Sequence, residues 1–325
     1  MKSFANLNVA AAFAATFLSI VTPAFGKSKC RATPVASLDM HTIGAGGIYV
    51  PIQVGGKTIN LLIDTGGVLS MLTQSTINAL SLPTKAVVDK HIVMIGGTFI
   101  EKSVTAHDVN LGGIKMANVE FLVMPDGHLP LGIGGTLSPD LLRAYVDEFD
   151  FASAKFNLYS QNACAGMPVP WTTGPHVEIP FKLDRAGHIT LTVRLDGKDV
   201  VTSLDTGSSL SILRLESAES IFGFDDRSPL LKLAAQTTVA RIYQYPFHSL
   251  EFGEAAAGMG IVSVTNPNLS LISRADTGMI YGPELILGMS VLRNLHMYID
   301  YKQQKIYATR VLPNSAPVVS SGDER

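Results

Sequence analysis

Two acids carry the chemistry this sequence offers. Asp64-Thr65-Gly66 and Asp205-Thr206-Gly207 are one tripeptide written twice, 141 positions apart, each closing an aliphatic run. The runs are Leu61-Leu62-Ile63 and, more loosely, Val200 to Leu204. An apolar run that stops at an acid and a glycine reads as a buried strand entering a tight loop with a carboxylate at its tip. Two such loops facing each other across a pseudo-twofold axis hold two carboxylates in contact. Like charges that close cannot both ionise cheaply, so the pair shares a proton and presents one acid and one base at one site. That is the chemistry of water attack on an amide.

A single Asp-Thr-Gly is weak evidence, since average residue usage yields one by chance in roughly one chain in ten of this length. An aspartate before a glycine is also an ordinary turn residue that caps its own backbone. The sequence contains a control: Asp276-Thr277-Gly278 follows Arg274-Ala275 rather than an aliphatic run, and is read as a loop. The other two copies belong to a longer internal repeat. The offset of 141 also pairs Ile48 with Ile189, Gly56-Lys57 with Gly197-Lys198, Leu69-Ser70 with Leu210-Ser211, Leu72 with Leu213, His107 with His248 and Gly112 with Gly253. Further on, an offset of 150 pairs Leu142-Arg143 with Leu292-Arg293, Asp150 with Asp300 and Lys155 with Lys305. Nine extra residues therefore enter the second half between Gly253 and Gly288. Two homologous lobes account for the pattern.

The elements that must position the acids read as β. Ile48 to Ile63 alternates around Gly55-Gly56-Lys57, and Ile189 to Leu204 around Asp196-Gly197, each a hairpin. A short helix is expected after each acid loop, over about Gln74 to Leu80 and Leu215 to Phe222. Further strands are expected at Lys90–Ile95, Phe99–Val104, Ala117–Met124 and Gly260–Val264. Tyr145 to Tyr159 and Leu295 to Thr309 read as closing hairpins. The expected fold class is all-β with few short helices, in two β-barrel-like lobes. The segments run 1–26 as a signal peptide, 27–45 as an N-terminal segment, 46–160 as the first lobe, 161–175 as the linker, 176–312 as the second lobe and 313–325 as a disordered tail.

The chain has 325 residues, 46% hydrophobic and 16% charged, with a formal charge of −2. It can bury one large core or two small ones. No basic surplus or Lys/Arg cluster points to nucleic acid. Lys2, an apolar stretch from Val9 to Val21 and the small residues Ala24 and Gly26 read as a signal peptide cleaved after Gly26, with an uncleaved anchor as the alternative. Export would place the protein in a periplasmic or secreted, oxidising location. Cys30 and Cys164, just before and just after the first lobe, would then either bond or remain free thiols. The eight histidines are scattered without ligand spacing, so no metal site is expected.

With these residues in hand, the chain resembles the pepsin/retropepsin-like aspartic peptidases, in particular the exported two-lobed bacterial type. The resemblance covers Ile48 to Tyr307 and rests on the two Asp-Thr-Gly loops and on Leu285-Ile286-Leu287-Gly288, similar to the family's hydrophobic-hydrophobic-Gly element. It implies two pepsin-like β-barrel lobes with the active site in the cleft between them. Asp64 and Asp205 would hold the lytic water, and Thr65 and Thr206 would bond across the lobe interface. Gly66 and Gly207 would let backbone N–H groups reach the carboxylates, and Ser208 would bring a hydroxyl to the outer oxygen of Asp205. The implied substrate is a peptide or unfolded protein, cut without cofactor, metal or covalent intermediate by a two-lobed monomer. A catalytically weak peptide-binding or scaffold protein on the same fold is the alternative.

Three departures stand out. Gly67 occupies the place of Ser208, so Asp64 lacks the equivalent hydroxyl. The first-lobe hydrophobic-Gly element is blurred around Gly132, Gly134 and Gly135. Ile95-Gly96-Gly97-Thr98 resembles a flap tip but lacks the tyrosine that pepsins carry there, and its counterparts Thr237-Thr238 leave only the first lobe with a glycine tip. Met94, Phe99 and Ile100 read as pocket lining or as hairpin packing. His107 and His248 read as solvated strand ends, and Asp150 and Asp300 as structural.

Overall fold

The computed structural model describes residues 33–87, 92–94, 98–161, 176–225, 227–238, 240–253, 261–277 and 282–311. The expected signal peptide, Cys30 and Cys164, the flap-tip residues Ile95, Gly96 and Gly97, nearly all of the linker and the tail lie outside the described residues.

Each lobe is founded on one hairpin. Gly47–Val54 pairs antiparallel with Lys57–Ile63, Tyr49 opposite Leu62 and Val54 opposite Lys57. Ile189–Leu195 pairs in the same way with Lys198–Leu204, Thr190 opposite Ser203 and Leu195 opposite Lys198. Both turns hold two left-handed residues, Gly55 and Gly56 in one (φ 55° and 80°) and Asp196 and Gly197 in the other (φ 45° and 78°). That backbone suits the right-handed twist of the flanking strands and explains the Gly-Gly and Asp-Gly choices. Ile48, Val50, Ile52 and Val54 point into the first core, and Ile189, Leu191, Val193 and Leu195 into the second, all buried.

The strand that ends at each acid is flanked by a short parallel strand. Gly135–Leu137 lies beside Leu61–Ile63, and Leu285–Leu287 beside Thr202–Leu204. Beyond them lie Met71–Thr73 and Ser211–Arg214, which run straight into helices Gln74–Leu80 and Leu215–Phe222. Both helices start and end where the sequence pattern placed them. Lobe sheets of eight and ten strands result.

A six-stranded antiparallel sheet joins the lobes, in the order Ala36–Asp39, Lys155–Ser160, Tyr145–Asp150, Leu295–Asp300, Lys305–Arg310, Val177–Pro180. The two closing hairpins meet at its centre, Val146 opposite Asp300 and Phe149 opposite Met297. Its two outer strands, Ala36–Asp39 and Val177–Pro180, stand 141 positions apart, so the repeat reaches further back than its identities reveal. The segment before residue 46 is therefore not separate from the first lobe: Ala36–Asp39 belongs to this sheet, and His41–Ile43 pairs with Gly47–Tyr49.

Two local expectations change. The third Asp-Thr-Gly is not a loop where described: Arg274–Thr277 is a single helical turn, and Asp276 accepts a hydrogen bond from the Arg241 N–H at 3.1 Å. Phe99–Val104 is broken, with Phe99–Ile100 pairing Ile92–Val93 as a separate hairpin and Lys102–Leu111 forming a long strand of the lobe.

Candidate active site

Both acid loops leave their strands in the same way. The Asp64 N–H donates to the Leu137 carbonyl and the Asp205 N–H to the Leu287 carbonyl, each at 2.9 Å. Each flanking parallel strand thus fixes the point where its loop begins.

The loops are locked to each other by their threonines. Thr206 Oγ1 accepts from the Thr65 N–H (3.1 Å) and donates to the Ile63 carbonyl (2.7 Å). Thr65 Oγ1 accepts from the Thr206 N–H (3.0 Å) and donates to the Leu204 carbonyl (3.2 Å). Both threonines are fully buried. Every polar group in this reciprocal contact has a partner in the opposite lobe, so the interface is specific as well as closed.

Asp64 and Asp205 meet directly, sharing a side-chain hydrogen bond. The glycines make that approach possible. A Cβ at Gly66 would lie 2.3 Å from Asp205 Cγ, and one at Gly207 would lie 2.6 Å from Asp64 Oδ1. Backbone donors steady the carboxylates: Gly67 N–H to Asp64 Oδ1 at 2.7 Å, and Gly207 and Ser208 N–H to Asp205 Oδ1 at 2.9 and 3.1 Å. Burial pushes both carboxyls above the usual range. The negative charge of Asp64 pushes Asp205 further, to about 7, whereas the Gly67 and Gly66 N–H groups pull Asp64 back. The pair therefore titrates as a unit and holds one shared proton above the usual carboxylate range. Each carboxyl is crowded by protein atoms yet keeps an opening to solvent.

Ser208 departs from expectation. Its hydroxyl donates to the Leu210 carbonyl at 2.7 Å rather than to Asp205, and only its backbone N–H serves the carboxylate. The blurred element of the first lobe resolves as Gly135-Thr136-Leu137-Ser138, which takes the place of Leu285-Ile286-Leu287-Gly288 beside the acid strand. Continuing the 150 offset back from Leu142 would have located it. A brace that the sequence pattern does not mark stands behind each loop. Ser70 donates to Asp140 Oδ1 through N–H (3.0 Å) and hydroxyl (2.6 Å), and Ser211 takes the equivalent place with Ser290.

Of the hairpin expected to form a flap, the described residues include the legs Ile92–Val93 and Phe99–Ile100, closed by Met94 N–H to the Thr98 carbonyl at 2.9 Å. Phe99 is 62% exposed on its leg while Ile100 is buried. The matching hairpin of the second lobe, Lys232–Gln236 with Arg241–Gln244, is closed by Thr237, whose hydroxyl bonds both the carbonyl and the N–H of Ala240. His248 is exposed just before strand Ser249–Phe252 and pairs with Asp196, whereas His107 is not at a strand end but exposed in the middle of Lys102–Leu111, bonded to Asn118 opposite it. Asp150 and Asp300 cap the turns after their strands. Among the described residues no cluster of His, Cys, Asp and Glu could hold a metal ion.

Residues 50–137 match the family model described as aspartyl protease. No curated protein matches the sequence. Among solved structures, the fold is similar to an aspartic proteinase from Irpex lacteus (TM-score 0.57, 15% identity, covering 87% of this chain and 99% of that one). It is similar also to the basic 7S globulin from soybean (TM-score 0.54, 11% identity, 86% and 98% covered). A third is conglutin gamma, a basic 7S globulin from lupine seeds (TM-score 0.52, 10% identity, 84% and 94% covered). At these identities the likeness establishes the fold: mostly β and two-lobed.

Proposed function

We propose that the chain is an aspartic peptidase of the pepsin/retropepsin-like kind and that it hydrolyses peptide bonds with water activated between Asp64 and Asp205. The observation that carries this reading is the pair of carboxyls brought together at the meeting of two locked loops, so close that a Cβ at Gly66 or Gly207 would strike the acid of the opposite lobe. Asp64, the member that ionises first, takes a proton from the water as it attacks. Asp205 donates its proton to the scissile carbonyl oxygen, and the resulting gem-diol collapses as a proton passes to the leaving amine. Thr65 and Thr206 hold the two acids in register, and Gly66 and Gly207 admit the close approach. The substrate is an extended peptide or unfolded protein lying between the lobes beneath the Phe99 hairpin. Both acids come from one chain, so a monomer suffices. We further propose that it works after export, with residues 1–26 as the signal.

A second reading is a peptide-binding or scaffold protein on the same fold. Two of the similar structures named above are globulins rather than proteinases, and the flap sequence has no tyrosine. Incubating the purified chain with unfolded casein from pH 3 to 7, with and without a pepstatin-type inhibitor, separates the two. A peptidase yields fragments that accumulate with time. A binder retains intact peptide at every pH, which would overturn the enzymatic reading.

A further inference from the structure

The two lobes differ by an exchange of residues around their acids. In the second lobe Ser208 follows the Asp-Thr-Gly and Gly288 ends the flanking strand. A Cβ at Gly288 would lie 2.0 Å from the Leu210 carbonyl oxygen and 2.6 Å from that of Ser208, so that position must be glycine. In the first lobe the order is reversed: Gly67 follows the tripeptide and Ser138 ends the strand. Here a Cβ at Gly67 would lie 2.7 Å from Asp64 Oδ2 and 2.7 Å from Ser138 Oγ. The space a residue-67 side chain would use is thus flanked on one side by the outer oxygen of Asp64 and on the other by the hydroxyl of Ser138.

Ser138 has no other evident task for that hydroxyl. Its N–H donates to Ser70 Oγ at 2.9 Å, and its carbonyl accepts from Leu141 and Leu142. It stands at the N-cap of the short helix Pro139–Leu142, where a serine ordinarily caps through its side chain, yet its Oγ makes no capping bond. The residue is fully buried and the Oγ has no hydrogen-bond partner. A buried hydroxyl left unpaired is rare enough to need a reason.

We propose that Ser138 is a positioning residue for Asp64: turned about its Cα–Cβ bond, its hydroxyl donates to Asp64 Oδ2 and supplies from the strand end the donor that position 67 lacks. The inference rests on the reading of Asp64 and Asp205 as a working pair. Its consequence is asymmetry. A hydroxyl donor favours the charged form of the carboxylate it serves, and Ser208 gives none to Asp205 because its hydroxyl is engaged with Leu210. Ser138 therefore helps make Asp64 the ionised member and leaves the shared proton on Asp205. The other titratable groups acting on Asp64 are Asp205 across the pair, His188 of the second lobe and Tyr301 in the turn after Leu295–Asp300. Asp140, on the helix that Ser138 begins, is occupied by Ser70. Substituting Ser138 changes none of these.

The test uses the full chain with Ser138→Ala and the exchange variant Gly67→Ser/Ser138→Gly, beside wild type and Asp64→Asn. Two readouts are taken: the pH profile of kcat/KM on unfolded casein, and a 13C NMR titration of the aspartate carboxyls with the Asp64 signal identified by its absence in Asp64→Asn. Ser138→Ala is expected to move the lower ionisation of the pair, and with it the acid limb of the profile, upward by about one pH unit while the alkaline limb stays. The exchange variant, which puts a hydroxyl back from the other side, is expected to return that ionisation toward wild type. It also carries the test if Ser138→Ala fails to fold. A folded Ser138→Ala whose lower ionisation is unmoved overturns the inference even if the chain cleaves normally. A chain that never cleaves but shows the NMR shift upholds Ser138 and defeats the peptidase reading instead.

Discussion

Replacing Thr206 with valine preserves the shape of the side chain and removes only Oγ1. That atom accepts from the Thr65 N–H at 3.1 Å and donates to the Ile63 carbonyl at 2.7 Å, in a site with no solvent exposure. The variant leaves one N–H and one carbonyl buried and unpaired. Each such group costs about 1–3 kcal/mol, so Thr206→Val should lose about 2–6 kcal/mol, a large part of the 5–15 kcal/mol typical of a folded protein. Thr65→Val should lose a similar amount through the Thr206 N–H and the Leu204 carbonyl. All four bonds cross one interface, so the first loss loosens the contact that the second would break, and the double variant should fall short of the sum. Thr206→Ser keeps the hydroxyl and should lose only about 1 kcal/mol for its methyl group. Urea unfolding followed by near-ultraviolet circular dichroism measures the stabilities, and cleavage assays on the same preparations measure the effect of separating the acids, expected near a hundredfold. Valine variants that unfold like wild type, or a double variant equal to the sum of the singles within about 0.5 kcal/mol, would refute the interlock.

Further outcomes follow from the same geometry. Asp205 keeps its proton to about 7 in the fold but releases it near 3.8 when unfolded. Unfolding therefore releases a proton in that window, and the stability this group contributes falls as pH rises through it. Asp205→Asn, always neutral, should accordingly melt higher than wild type at pH 7 while gaining nothing at pH 3.5; a lower melting temperature at pH 7 would contradict the assignment. Gly66→Ala places a Cβ 2.3 Å from Asp205 Cγ and should reduce kcat/KM at least about a hundredfold, against which a variant of normal activity would count. Gly288→Ala meets backbone at 2.0 Å and should destabilise the second lobe, which thermal melting reads directly.

Much of this was legible because the chain contains two copies of one design. The offset of 141 aligns the acids, the threonines that bond across it and both founding hairpins. The helices were readable because each begins just after a strand and keeps a 3.6-residue pattern. What stayed hidden had lost its identities while keeping its shape. Ala36–Asp39 and Val177–Pro180 share no residue, yet both alternate buried and open along the same sheet edge. Ser138 is obscured because the element it ends closes on glycine in the second lobe and three glycines lie just before it. Asp147 and Glu148 are consecutive on a closing strand and both buried, although they point to opposite faces of the sheet. Glu148 is accounted for by Asn157 and Tyr159 of its own hairpin and by His296, a contact that exists only once the two closing hairpins meet. Ser208 illustrates a different limit: its position was correct, but a hydroxyl within reach of two acceptors is settled by local geometry that spacing does not encode.

The most direct test of the central claim is the turnover of unfolded casein by Asp64→Asn and Asp205→Asn across pH 3 to 8, each verified as folded by circular dichroism. Wild type should give a bell-shaped profile whose alkaline limb falls near 7, where Asp205 loses the shared proton. Both variants should lose at least about a hundredfold at every pH. A folded variant that retains even a tenth of wild-type turnover would mean that the paired carboxyls are not the source of the chemistry.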